Sequence, residues 1–338
     1  MSVSDVKKYI ERKEIKVVFI ADDVKNLTEF GIFHNTTFSL MIAAQELGLR
    51  VFLTETNNLK IINNEIVSRF DEVVVKREVS NHLKIISSSE LSLDSFEIIF
   101  ARKDPPVDSN FLSYLQILSI LPPHVLVINN PCGILRANEK LYVFNVPSFI
   151  PITLVSSNKK EIIDFLQEHK EVVIKPLFHK GGEGVLYLKA DDDFSSTIDE
   201  SLSNYQRIIV QKYLPDVMRG DKRIILFNGE PVGGIIRIPK PGEFRAHISR
   251  GASFKQLTLS KRDLEICTAL KPFLLRDGIY FAAIDIIGDY LIEVNVTCPA
   301  NLYETEQSIG KPLTKMLVEW AVKLSTSCEE LAVNNAKS

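Results

Sequence analysis

The feature that most constrains this 338-residue chain is a change of pattern near Pro131. Before it, short β-rich runs alternate with helical periodicity. Strands are expected over 15–21, 50–54, 73–76, 97–101 and 124–128, and helices over 36–47 and 110–121. Such alternation predicts a doubly wound, mostly parallel α/β sheet. The first helix is well punctuated, with Asn35 or Thr36 as N-cap and Gly48 just past its end. Its apolar stripe, Phe38, Met41, Ile42 and Leu49, is expected to face the sheet. After Pro131, helices give way to paired strands: 171–175 and 185–189 around the loop 179–184, then 207–214. The runs 223–227 and 233–238 flank an Asn228-Gly229 turn, a strong hairpin signal. A second, α+β domain built on antiparallel sheet follows.

Composition narrows the function classes. The chain is 45% hydrophobic and 25% charged, the profile of a soluble globular protein with material for two or three domains. A net charge of -3 argues against a strongly basic nucleic-acid binder, so any anionic ligand must be met by local charge. Cys132, Cys267, Cys298 and Cys328 lie far apart without a CxxC pair, which fits a reducing cytoplasm rather than a disulfide framework. The segment 2–14 is charged, unlike a secretory signal, and the apolar run 111–129 is interrupted by Gln116, Pro122, Pro123 and His124. No membrane span is expected. The tail after Ser325 is polar enough to fray.

Three clusters carry chemistry. Lys175-Pro176 ends a buried-looking strand and is followed by Lys180-Gly181-Gly182-Glu183-Gly184. Glycines there allow backbone N–H groups to approach a phosphate, and the lysine can reach the same anion. An ordinary glycine turn has the same signature.

The second cluster runs from Asp285 to Thr297, where Asp285, Glu293 and Asn295 offer hard oxygen ligands from two strands of one hairpin, a seat for Mg²⁺. A plain two-residue turn at Gly288-Asp289 would pair Asp285 with Ile292 and put Glu293 on the opposite face. One metal therefore requires an odd loop or a bulge, with Asp285 expected across from Leu291. The alternative is a set of solvated strand carboxylates. The third cluster is cationic: Gly220-Asp221-Lys222-Arg223, Arg237-Ile238-Pro239, and then Arg245 and Arg250 in a glycine-containing loop. Such a loop suits a lid over an anionic intermediate, with surface solvation as the competing reading.

In order and separation, Arg102-Lys103-Asp104-Pro105-Pro106, Asn138-Glu139-Lys140-Leu141, Gly220-Asp221-Lys222-Arg223, Arg237-Ile238-Pro239 and the 285–297 run resemble bacterial glutathione synthetase, over about 15–324. The resemblance implies a Rossmann-like pre-ATP-grasp domain over 14–131 and an ATP-grasp domain over 132–328, with a lid subdomain over 147–213 and a catalytic subdomain over 214–328. It implies a ligase joining γ-glutamylcysteine to glycine with ATP as co-substrate. Lys140, Lys175, Gly181 and Gly182 would contact ATP phosphates, and Gln211, Tyr213 and Leu214 would border the adenine. Asp285, Glu293 and Asn295 would hold Mg²⁺, with Mn²⁺ as a substitute. Arg223 and Arg237 would face the reacting carboxylate and the acyl phosphate, and Arg245 and Cys298 the peptide.

A cytoplasmic homo-oligomer, a tetramer in the family, is implied as well, with no nucleic-acid or membrane partner. Departures sit on the substrate side: His34-Asn35-Thr36, Ala246-His247, Cys298-Pro299 and Tyr303-Glu304 replace the family's usual residues. Another ATP-grasp carboxylate–amine ligase, and a non-catalytic nucleotide-binding regulator, are the alternatives these leave.

Overall fold

The computed structural model describes residues 10, 13–23, 25 and 31–335, with the side chains of 32, 33, 249 and 327–335 left aside. The charged N-terminal segment falls largely outside that range. The first sheet contains β1 (Lys16–Ala21), β2 (Arg50–Thr54), β3 (Lys60–Ile62), β4 (Glu65–Val75), β5 (Leu83–Ser92), β6 (Ile98–Arg102) and β7 (Leu126–Ile128). Its path is β3-β4-β2-β1-β6-β7, with β5 on the far side of β4. The centre is parallel, β1 pairing with β2 and β6, and β6 with β7. The expected doubly wound core is thus present. Outside it, β4 runs antiparallel to β2, β3 and β5, an extension of which the sequence reading placed only 73–76.

The parallel strands are apolar without alternation because both faces are covered. Val17 and Phe19 join one core with Phe38 and Leu40 of the helix Thr36–Glu46 and Leu317 of the helix Leu313–Asn335. Val18 and Ile20 join a second core with Phe111 and Leu115 of the helix Ser109–Leu118. Asn35 caps the first helix by accepting from the Phe38 N–H at 2.9 Å. That helix is buried from Thr36 through Ala44 rather than along one stripe, because the C-terminal helix packs on its outer side. The tail expected to fray continues that C-terminal helix to Asn335, where the described residues end.

Two antiparallel sheets follow. β8 (Thr153–Ser156), β9 (Glu171–Pro176), β10 (Leu186–Lys189) and β11 (Ile208–Lys212) take the order β10-β9-β11-β8 and have their own core, in which Ile174 and Val210 meet Ile162, Leu166 and Ile198. β12 (Asp221–Phe227), β13 (Glu230–Ile238), β14 (Ser253–Gln256), β15 (Phe281–Ile287) and β16 (Tyr290–Asn295) take the order β14-β13-β12-β15-β16. Alternate residues of β12 enter the two cores of the first sheet, Ile224 and Leu226 one, Ile225 and Phe227 the other. The third sheet is therefore continuous in packing with the first, whereas the second is a separate body. The Asn129 amide seals the junction, donating to the Phe281 and Val296 carbonyls at 2.6 and 2.7 Å and accepting from the Phe281 N–H at 2.8 Å. Close approach is also required at Gly133, where a Cβ would lie 1.8 Å from the Asp277 carbonyl oxygen.

Candidate active site

A cleft of about 680 Å³ opens between the three sheets and is lined by residues from all of them. Its floor is the β15–β16 hairpin. Gly288-Asp289 is a two-residue turn with Ile287 opposite Tyr290 and Ile286 opposite Leu291, but the register then shifts and Asp285 lies opposite Glu293. A bulge therefore forms at Ile292, as metal binding requires, and the expected partner Leu291 is corrected to Glu293. Asn295 falls opposite Ala283 on the same face, its amide 3.3 Å from the Asp285 carboxylate. The extra residue lets Leu291 and Val294, three apart, both enter the core while Asp285, Glu293 and Asn295 face the cleft.

Arginines from the neighbouring strands enclose Asp285. Arg223, its register partner on β12, grips it bidentately at 2.8 and 2.7 Å. Arg237 on β13 reaches it at 3.1 Å and also bonds Asp221. At 1% exposure Arg237 is among the most buried large side chains. A buried guanidinium requires such acceptors, because unpaired burial of a charge costs several kcal/mol. Burial works against the Asp285 carboxylate, but the two guanidiniums prevail and hold it well below the usual carboxylate range. Asp221, with one oxygen unbonded, is pushed up to about 7 by burial.

Two lysines face the hairpin. Lys140 lies 3.2 Å from Glu293 and donates to the His179 carbonyl at 2.6 Å. Lys175, at the end of β9, donates to the Gln211 side chain at 2.7 Å, and burial pushes its ammonium down to about 8. Gln211, Tyr213 and Leu214 line the same wall. Glu139 had no role in the sequence reading. Its Oε1 accepts from the Val296 N–H, the Thr297 N–H and the Thr297 hydroxyl at 2.8, 3.0 and 2.8 Å, pinning the exit of β16. Burial first, then Glu293, pushes its carboxyl up. The adjacent acid and base at Glu139-Lys140 was the available signal.

The glycine loop and the arginine loop meet over the cleft. Gly181 and Gly182 have φ of +62° and +70°, a conformation that favours glycine. Their carbonyls accept from Arg250 at 2.8 Å and Arg245 at 3.3 Å. Arg245 is otherwise gripped by Glu243 at 2.9 and 2.6 Å. His247, behind them, is pushed down to about 4 by burial and by Arg237 and Arg223, so it is neutral at pH 7. Cys298 lies at the cleft edge with its Sγ 3.6 Å from the Arg102 carbonyl, and burial pushes its thiol up, which removes it as a nucleophile. The residues expected to meet ATP, metal and peptide, from Lys140 and Lys175 to Asn295 and Cys298, line this cleft, whereas Arg250 and Tyr303 are not among its lining residues.

Mg²⁺ fits this donor set. Among the described residues no three His, Cys, Asp or Glu side chains converge. Two ionised carboxylates and an amide on one face of the hairpin instead match a hard cation that completes its shell with substrate phosphates.

Similarity to known proteins is extensive. The prokaryotic glutathione synthetase N-terminal domain matches residues 15–135, and the prokaryotic glutathione synthetase ATP-grasp domain matches residues 139–310. The glutathione synthetase of Synechocystis sp. is 38% identical over 321 residues, 91% of this chain and 99% of the relative. That of Buchnera aphidicola is 32% identical over 314 residues, 92% and 97% respectively. Among solved structures, D-cycloserine synthetase DcsG superposes with a TM-score of 0.65 at 15% identity, covering 92% of this chain and 99% of that one. The macrocyclase MdnC of Microcystis aeruginosa, bound with its precursor peptide, gives 0.61 at 17% identity, covering 91% and 99%. At such identities the likeness is one of fold.

Proposed function

The chain belongs to the prokaryotic glutathione synthetase family, and from that premise we propose how its cleft makes glutathione. It is an ATP-dependent ligase. The γ-phosphoryl group of ATP passes to the cysteinyl carboxylate of γ-L-glutamyl-L-cysteine, and the amine of glycine displaces phosphate from the acyl phosphate, leaving glutathione, ADP and phosphate. The observation that carries this reading is the bulge that sets Glu293 opposite Asp285, between Lys140 on one side and Arg223 and Arg237 on the other.

Each residue has a place in that chemistry. Lys140, Lys175, Gly181 and Gly182 hold the ATP phosphates, and Gln211, Tyr213 and Leu214 border the adenine. Asp285, Glu293 and Asn295 would hold Mg²⁺, or Mn²⁺ in its place, which would neutralise charge on the phosphates. Arg223 and Arg237 face the charge that develops at the carboxylate and the transferred phosphoryl group, already oriented by Asp285 and Asp221. The loop 239–253, with Arg245 and Arg250 on the glycine loop, excludes water that would hydrolyse the acyl phosphate, and Arg245 and Cys298 face the peptide.

The divisions at 14–131, 132–328, 147–213 and 214–328 follow the same reading, and the separate core of the β8–β11 sheet supports the lid. A homo-oligomer, a tetramer in this reading, is supported by the outer strand β5, which leaves Ile85 and Ile86 exposed. The free thiols of Cys132, Cys267 and Cys298 support a cytoplasmic setting, and no described helix is long and apolar enough to cross a membrane. Phosphate release from MgATP tests the activity. It is expected only when γ-glutamylcysteine and glycine are both present, and release that needs neither peptide nor amine would refute the ligase.

A further inference from the structure

One half-buried base in the cleft has no part in the chemistry described so far. His247 stands in the arginine loop, at a position where this chain departs from the family's usual residue. Its carbonyl accepts from the Arg250 and Ala252 N–H groups at 2.9 and 3.2 Å, so the residue heads the short turn Ile248–Arg250, and its ring lines the cleft. There the ring lies on the glycine loop. A Cβ at Gly182 would come within 3.0 Å of its Cδ2 and 3.1 Å of its Nε2. Neither ring nitrogen is hydrogen-bonded among the described residues.

Burial first, then Arg237 and Arg223, keep this imidazole neutral at pH 7 against the opposing pull of Asp285 and Glu293. A neutral imidazole carries one nitrogen with a free lone pair. The carboxylates around the reacting centre are already committed: Asp285 to two guanidiniums, Glu293 to Lys140, and Glu139 to three donors. The unbonded oxygen of Asp221 is enclosed, out of reach of an amine. His247 is thus an open proton acceptor set between the loop read as holding phosphate and the arginines read as facing the acyl group.

We propose that His247 accepts the proton that the glycine nitrogen must lose as it bonds to the acyl carbon. The assignment rests on the ligase reading and deepens it by adding a catalytic residue to its second half. Glycine enters that step with its amine uncharged. The nitrogen lone pair forms the new C–N bond, the bond from the acyl carbon to the phosphoryl oxygen breaks with its electron pair on that oxygen, and one proton leaves nitrogen for the imidazole. The imidazolium returns that proton to the departing phosphate, which leaves as hydrogen phosphate, so the ring ends as it began. The same arginines that hold the free imidazole neutral are engaged by the acyl phosphate, whose negative charge offsets theirs. Proton acceptance is therefore easiest when the intermediate is in place.

Two acceptors test the role: glycine, and hydroxylamine, which attacks acyl phosphates without the help of a base. In His247→Asn, kcat with glycine should fall about 100-fold, the lower end of general-base catalysis, while the rate of hydroxamate formation from ATP, γ-glutamylcysteine and hydroxylamine should hardly change. The KM values for ATP and dipeptide should stay within about twofold, as for a contact made only in the transition state. In His247→Gly, added imidazole should recover part of the glycine rate. Glycine and hydroxylamine rates that fall together would show that the ring only shapes the loop and would overturn the assignment, as would an unchanged glycine rate. A measurement on the unaltered enzyme does not depend on either variant folding: heavy water should slow turnover with glycine and not with hydroxylamine, and equal slowing overturns the assignment. Unaltered enzyme that makes neither glutathione nor hydroxamate refutes the ligase reading and the role of His247 with it, whereas both products from an enzyme indifferent to His247 refute that role alone.

Discussion

The two ends of the cleft differ in how their charges are satisfied. At the hairpin end the ions are paired within the protein, Asp285 with Arg223 and Arg237 and Glu293 with Lys140, and Lys175 is held by the neutral Gln211, although one Asp221 oxygen and the Arg237 Nε stay unbonded. At the other end Arg102 and Glu304 keep unbonded atoms while fully enclosed. The hairpin end is preorganised, so that charge developing in phosphoryl transfer meets groups already oriented and no reorganisation is needed at the moment of reaction. Ion pairs fixed on a rigid sheet hold charge in place, whereas the two enclosed charges at the other end retain unmet hydrogen-bonding capacity.

The largest expected effect breaks the preorganised end. Glu293→Gln keeps the shape of the side chain and removes one negative charge opposite Asp285. Phosphate release should fall about 100- to 1000-fold, the scale of losing one fixed electrostatic contact, and excess Mg²⁺ should restore part of it if the loss is in metal affinity. The KM for γ-glutamylcysteine should hardly change. A variant with near-normal turnover would place the metal elsewhere. Asp285→Asn is the less clean probe, because it also leaves Arg223 and Arg237 buried with a neutral partner, and such losses cost about 3–5 kcal/mol of stability.

A smaller effect comes from Lys175, and it is sharpest in its pH dependence. Burial pushes this ammonium down to about 8 from 10.5. The free enzyme therefore loses the charge as pH rises past about 8, and kcat/KM for ATP should fall there. Stability should move the opposite way. Between about 8 and 10.5 the unfolded chain still binds the proton that the folded chain has released, so the unfolded state holds more protons and stability rises with pH. Lys175→Met should lower kcat/KM for ATP by about 100-fold and flatten both limbs. A profile in the variant that still breaks near 8 would assign the titration to another group.

Much of the hairpin end was legible in the sequence, because its logic is local. Demanding that Asp285, Glu293 and Asn295 share a face was enough to require a bulge or an odd loop. The position of the extra residue was misjudged because the core decides it: Leu291 and Val294, both fully buried, can point inward together only if Ile292 is the residue passed over. Glu139 was legible only as an acid beside Lys140, and its role was not, since its three donors lie 157 and 158 residues away in the chain. β5 was missed for a related reason. Its Ser87-Ser88-Ser89 centre has little strand propensity, and only pairing with β4 makes it a strand. The resemblance put His34, Thr36 and Glu304 on the substrate side, but their unbonded atoms could not be read, because a side chain's lack of partners is a property of the folded structure.

The smallest effect concerns the roof shared by both ends. Arg250 is held by a single exposed hydrogen bond to the Gly181 carbonyl, and an exposed contact of that kind contributes little to stability. Arg250→Ala should therefore leave the melting temperature within about 2 °C, since a loss of well under 1 kcal/mol shifts it only slightly in a chain of this size. The consequence should appear in fidelity instead. A roof that opens more often admits water to the acyl phosphate, so ADP formation should exceed glutathione formation by a few-fold, about the weight of one weak contact. Measured with saturating glycine, that ratio separates two roles for the loop: if ADP and glutathione remain equal while both slow together, the loop holds ATP and does not shield the intermediate.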